Sequence, residues 1–187
     1  MNTVHTLQEY VDALRAAGIL TGCTAPEALL ARGVECLTYD TRTLRENALF
    51  ICKGAHFKEE YLRDALSRGA FAYVAEQQHD VDAPCILVSD IRYSLVALGQ
   101  LFFDHVTDKL TSVGITGTKG KSTTAYYVRY ILNDWLRAEN KPECAILSSI
   151  DNYDGKVSEE SHITTPEVLE LYQHFENAYE SGISRLV

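Results

Sequence analysis

Gly114-Ile115-Thr116-Gly117-Thr118-Lys119-Gly120-Lys121-Ser122-Thr123 lies between an apolar run, residues 110–115, and a run with helical spacing, residues 123–136. The first reads as a short buried strand and the second as a helix of about three to four turns. Gly117 and Gly120 let the backbone turn tightly and bring its N–H groups up to phosphate oxygens, and the positive end of the following helix adds to that attraction. In such a loop Lys121 reaches the β- and γ-phosphates, and the Ser122 hydroxyl stands where it can ligate Mg²⁺. Regular phosphate-loop spacing would place its first glycine at Ile115, so the loop is a variant. The plain alternative is a glycine-rich turn with a chance Lys-Ser. The flanking strand and helix argue against it, because the binding mechanism needs both.

Upstream, Thr6 to Glu9 has the spacing of a capping box. The helix it opens runs to about Ala17 and stops at Gly18, with Leu7, Val11 and Leu14 as its buried stripe. Residues 36–40 and 48–52 read as strands joined by a polar turn. Residues 59–67 form a helix closed by Gly69, 70–75 and 85–88 are strands, and 91–103 are helical. Strands and helices thus alternate through a first α/β domain, residues 1–108, ending in a polar junction at 104–109. The pattern then restarts as strand, phosphate loop, helix, strand (143–147), polar loop, helix (166–179) and strand (184–187). The expected fold class is α/β, with a second, incomplete P-loop parallel-sheet domain over 109–187. That domain looks truncated: about 78 residues are fewer than a sheet covered on both faces normally needs.

The chain has 187 residues, 46% hydrophobic and 23% charged, with a net charge of −9. That balance fits a globular protein and speaks against a nucleic-acid surface, which carries basic clusters. The N-terminus shows no signal peptide and no apolar stretch approaches the roughly 20 residues that span a bilayer, so no membrane insertion and a cytoplasmic location are expected. Five cysteines, Cys23, Cys36, Cys52, Cys85 and Cys144, lack metal or redox spacing and read as free thiols in a reducing compartment.

Two further segments follow strands. Asp40-Thr41-Arg42 and the stretch from Gly54 through Ala55, His56 and Phe57 stand at strand ends, where turn residues and ligand contacts both occur. Ser148-Ser149-Ile150-Asp151 follows a strand in the second domain. Thr164-Thr165-Pro166 reads as a helix start, with Thr165 as N-cap and Pro166 at the first helical position.

The loop form G-x-T-G-T-x-G-K-S/T resembles that of the Mur ligase superfamily, which includes the folylpolyglutamate synthetases. Asp40-Thr41-Arg42, the Leu49-Phe50 pair followed by Gly54, and Gly69-Ala70 before a strand resemble the N-terminal domain of Mur ligases, in particular the MurE type, the UDP-N-acetylmuramoyl-tripeptide synthetases. The resemblance implies that residues 1–108 hold the UDP end of a nucleotide-sugar peptide. Thr41 would lie near the uridine, Ala55, His56 and Phe57 around the uracil, and Thr164 and Thr165 on the muramoyl peptide. Gly117, Thr118, Lys119, Gly120, Lys121, Ser122 and Thr123 would bind ATP, with Lys121 catalytic and Ser122 on Mg²⁺.

The implied reaction is ATP-dependent addition of a diamino acid, L-lysine or meso-diaminopimelate, to UDP-N-acetylmuramoyl-L-alanyl-D-glutamate through an acyl phosphate. The likeness spans about two-fifths of such an enzyme, so the chain by itself is expected to be inactive. Two alternatives stand beside it. One is a non-catalytic module or degenerate paralogue that binds the same ligands. The other is a different P-loop ligase such as a folylpolyglutamate synthetase, against which the 108-residue leader speaks.

Overall fold

In the computed structural model, which describes residues 3–54, 57–161 and 163–187, the chain divides into two units, Met1–Asp104 and His105–Val187. The first begins with α1 (Leu7–Ala16), which starts on a complete capping box: the Thr6 side chain accepts from the Glu9 N–H, and Glu9 accepts from the Thr6 N–H at 2.7 Å. Each of those bonds satisfies a donor that the helix itself leaves unpaired. Leu7, Tyr10, Val11 and Leu14 form its buried face.

There follow β1 (Leu20–Cys23), α2 (Glu27–Leu30), β2 (Cys36–Thr38), β3 (Ala48–Ile51), α3 (Glu59–Ser67), β4 (Ala70–Ala75), β5 (Cys85–Val88) and α4 (Ile91–Phe102). The strands form one sheet in the order β1-β5-β4-β3-β2, parallel except for β1, which runs antiparallel to β5. Every residue of β3 and β4 is buried, as expected of central parallel strands covered on both faces. Asp90 caps α4 by accepting from the Arg92 and Tyr93 N–H groups. β1 and α2 carry no readable sequence period. β1 alternates between half-buried and exposed and shifts register between Leu20 and Gly22, and α2 buries none of its residues.

The second unit comprises β6 (Thr111–Ser112), α5 (Lys121–Ala138), β7 (Ile146–Leu147), β8 (Asp151–Tyr153), β9 (Ser158–Glu160), α6 (Val168–Glu180) and β10 (Arg185–Leu186). β6 pairs in parallel with β10, and a parallel bridge joins Leu186 to Ala145, so β10 lies between β6 and the segment leading into β7. Alternate residues of these segments face opposite sides. Cys144, Ile146 and Val187 pack with Ala125 and Leu136 of α5. Ala145 and Leu186 pack with Ala178 of α6. The two helices therefore cover opposite faces of the parallel strands.

Two expectations change here. The apolar run 110–115 is not a buried strand: only Thr111 and Ser112 pair as a strand, both are exposed, and among the described residues β6 has a strand partner on one edge alone. The polar loop expected before the last helix contains β8 and β9, which form an antiparallel meander with β7. All of β9 is exposed, so it has no apolar side chains to announce it.

Candidate functional site

The phosphate-loop segment runs from the end of β6 to the start of α5. Gly117 and Gly120 hold left-handed backbone, with φ of +151° and +77°, conformations that a residue with a Cβ adopts only at a cost. That geometry turns the chain directly into α5, whose N-terminal position is Gly120 itself, with no side chain capping it. The first N–H groups of the helix and the positive end of its dipole are thus presented to an anion.

Lys121 is the first residue of α5, and its Nζ donates to the Gly117 carbonyl at 2.9 Å. The ammonium therefore lies back across the loop, where a phosphate would replace the carbonyl as its partner. The Ser122 Oγ is 2.9 Å from the Ser149 Oγ. A cavity of about 470 Å³ opens over these groups, lined by Gly117, Lys121, Ser122, Ser149, Thr164 and Thr165, with Ala125, Leu171, Phe175 and Leu186 also contributing. Thr123 faces a neighbouring groove shared with Ser122, Tyr126, Tyr127, Tyr130 and Ile150. Thr118 and Lys119 are exposed and line neither.

Thr164 and Thr165 are exposed in the bend before α6, but Thr165 is not the N-cap. Glu167 takes that position with extended backbone, φ −62° and ψ 153°, and no side chain caps the helix. Pro166 is buried in the cavity wall and does not start the helix. The two threonine hydroxyls are consequently left on the cavity surface.

Among the described residues no cluster of three His, Cys, Asp or Glu could hold a metal by itself. The donor set at the loop, one serine hydroxyl beside the uncapped start of α5, would fit Mg²⁺ arriving with a nucleotide, since Mg²⁺ takes oxygen ligands and shares them with phosphates and water.

In the first unit, Thr41 opens a 3₁₀ turn, Thr41–Thr43, after β2. Asp40 accepts from the Arg42 N–H at 2.9 Å and from its guanidinium at 2.6 to 3.0 Å. The Arg42 side chain holds the Asp40 carboxyl below its usual range. Phe57 donates its N–H to the Gly54 carbonyl at 3.0 Å and packs its ring 5.3 Å from that of His79. β2 and β3 are parallel neighbours, with Thr38 opposite Phe50, so the Thr41 turn and the Phe57 loop leave the same, carboxyl end of the sheet. Ala55 and His56, also expected in this site, lie outside the described residues. Ser149, Leu171 and Phe175 had no role assigned from sequence. Ser149 was visible as a strand-end serine, but nothing local marks what it faces.

A parallel strand, a glycine loop and an uncapped helix opening on Lys-Ser define the second unit as a phosphate-loop α/β fold. Residues 115–187 match the family model of the Mur ligase middle domain, and the chain has curated relatives along most of its length. It is 38% identical to the UDP-N-acetylmuramoyl-L-alanyl-D-glutamate--L-lysine ligase of Enterococcus faecalis over 88% of the chain and 32% of that protein. With the Streptococcus thermophilus protein of the same name the identity is 40% over 81% and 30%. The chain therefore spans about a third of the length of these relatives.

Among solved structures, a UDP-N-acetylmuramoyl-L-alanyl-D-glutamate--2,6-diaminopimelate ligase shares the fold at a TM-score of 0.70 and 17% identity, covering 98% of this chain and 35% of that one. The MurF ligase of Thermotoga maritima in complex with ADP aligns at a TM-score of 0.50 and 25% identity, over 82% of this chain and 31% of that one. Among the described residues, no helix is long and apolar enough to cross a membrane.

Proposed function

We propose that these 187 residues are the UDP-substrate and phosphate-binding portion of an ATP-dependent ligase that joins a diamino acid to UDP-N-acetylmuramoyl-L-alanyl-D-glutamate in cytoplasmic peptidoglycan synthesis. The observation that carries this reading is the single cavity lined by Gly117, Lys121, Ser122, Thr164 and Thr165, together with relatives named for that reaction. On this reading residues 1–108 form the UDP-substrate domain, with Thr41, Ala55, His56 and Phe57 at the nucleotide-sugar, and 109–187 begin the ATP domain. The amino acid is L-lysine or meso-diaminopimelate.

The γ-phosphoryl group of ATP passes to the D-glutamate carboxylate, and the incoming amine displaces phosphate from the acyl phosphate to form the amide. Lys121 and the N–H groups at the start of α5 offset the charge that spreads over the transferring phosphoryl, and the loop fixes its position. Thr164 and Thr165 present hydroxyls to the peptide acceptor. Ser122 would help hold an Mg²⁺ ion that arrives with the nucleotide, and that ion would supply further charge neutralisation.

Equilibrium binding to the purified chain tests the assignment. Mg-ATP and UDP-N-acetylmuramoyl-L-alanyl-D-glutamate are both expected to bind, and Lys121→Ala should abolish the first and spare the second. Binding of neither ligand, or of a folate in place of the muramoyl peptide, overturns it.

A further inference from the structure

The phosphate loop is tied to the loop after β7 by a closed circuit of hydrogen bonds. Ser122 and Tyr126 lie one turn apart on α5, so their side chains share a face. Ser122 meets Ser149, with the two hydroxyl oxygens 2.9 Å apart. Tyr126 donates its hydroxyl to the Asp151 carboxylate. Between Ser149 and Asp151 the backbone is locked by buried Ser148, whose hydroxyl accepts from the Ile150 and Asp151 N–H groups at 3.1 and 3.2 Å and donates to the Asp151 carbonyl at 3.0 Å. The Ser148 N–H also donates to that carbonyl, at 3.1 Å. The helix that carries Ser122 thus clamps, one turn further on, the same turn that carries Ser149.

A serine hydroxyl has one hydrogen and two lone pairs. For Ser122 to offer a lone pair to a cation, its hydrogen must go to another acceptor, and that acceptor fixes where the lone pair points. Ser149 Oγ is such an acceptor, and the Ser148 turn together with Tyr126 holds it in place. We propose that Ser149 is the positioning residue for the Ser122 hydroxyl, and that it sets the affinity of the loop for the Mg²⁺ that accompanies the nucleotide. The inference rests on the phosphate-loop reading proposed above and goes beyond it. It assigns a role to a residue outside the loop, on a different strand end, that no loop motif contains. An outer partner of a metal ligand typically changes metal affinity by about 10- to 100-fold when removed.

The test is a Mg²⁺ titration of fluorescent ATP-analogue binding to the full chain, with circular dichroism as the check on fold. Ser149 is exposed, so its hydroxyl can be removed without opening the core. Ser149→Ala is expected to raise the Mg²⁺ concentration for half-saturation by about tenfold and to leave binding of metal-free analogue unchanged. Ser149→Thr, which keeps the hydroxyl, should restore the wild-type titration. A Ser149→Ala titration that superimposes on wild type overturns the proposal, as does a Ser149→Thr variant as impaired as the alanine. Lys121→Ala separates this failure from that of the underlying reading. If it binds the analogue as wild type does, the phosphate-loop assignment falls and the role of Ser149 falls with it. If it loses binding while Ser149→Ala titrates normally, only the role of Ser149 falls.

Discussion

Asp154→Asn probes the most heavily hydrogen-bonded buried charge among the described residues, and the structure gives the size of the effect. The Asp154 side chain is fully buried. One carboxylate oxygen accepts from the Lys156 and Val157 N–H groups at 2.9 and 2.7 Å, the other from His174 Nδ1 at 2.7 Å and Asn177 Nδ2 at 2.9 Å. These bonds fasten the turn between β8 and β9 to α6, the helix that follows Thr164 and Thr165. Asparagine keeps the shape but replaces one acceptor oxygen with a donor. The backbone N–H groups cannot reverse, so the new amide faces His174 and Asn177. His174 can change tautomer, but Asn177 already accepts from Gln173 Nε2 at 3.2 Å and would have to break that bond to turn round. One or two bonds to a charged group are therefore lost, at about 1.5–3 kcal/mol each, and the variant should be about 1.5–6 kcal/mol less stable.

Urea unfolding followed by tryptophan fluorescence reads this cleanly, because Trp135 is the only tryptophan and lies on α5 of the same unit. The pH dependence supplies a second reading. Burial by itself would raise the Asp154 carboxyl, but hydrogen bonds from Val157, Asn177, His174 and Lys156 outweigh it and hold the group below its usual 3.8. Its contribution is therefore full above that value and fades as pH falls through the lowered one. Asp154→Asn should flatten that acid limb. A variant within about 0.5 kcal/mol of wild type, with an unchanged acid limb, would refute the reasoning.

Thr6→Ala removes half of the capping box on α1 and should cost about 1 kcal/mol, measured as a lower urea midpoint by far-ultraviolet circular dichroism. Glu9, the other half, is held at about 2 against 4.5 by the Thr6 backbone N–H, His5 and the Thr6 hydroxyl. Its stabilisation is present above 4.5 and lost toward 2, and solvent screening at this half-exposed site keeps it small; Glu9→Gln should shallow the fall in stability over that window. Gly155 has φ +91°, and a Cβ there would stand 2.5 Å from the Ser181 Cβ. Gly155→Ala should cost about 2–4 kcal/mol from left-handed strain and overpacking, seen as a lowered thermal midpoint.

The sequence speaks clearly where one segment contains its own reason. The Thr6 box, the bounds of α3, β4 and β5, and the glycine turn into α5 depend on residues within a few positions of one another. It falls silent where the reason lies elsewhere in the chain. β9 has no apolar face because it pairs on the outside of a meander, so its strand character comes from β8 and not from its own residues. The start of α6 shifts from Thr165 to after Glu167 because Pro166 is taken into the cavity wall, a use that propensity does not anticipate. The candidate site divides in the same way. Gly117, Gly120, Lys121 and Ser122 announce themselves by spacing, since a phosphate is gripped by consecutive backbone N–H groups. Ser149 lies 27 positions from its Ser122 partner, and His174 and Asn177 lie 20 and 23 positions from Asp154. No local pattern encodes such separations. The groups that would grip a phosphate are thus legible in one stretch of chain, whereas those that would orient them become visible only once β7, β8 and α6 have folded against α5.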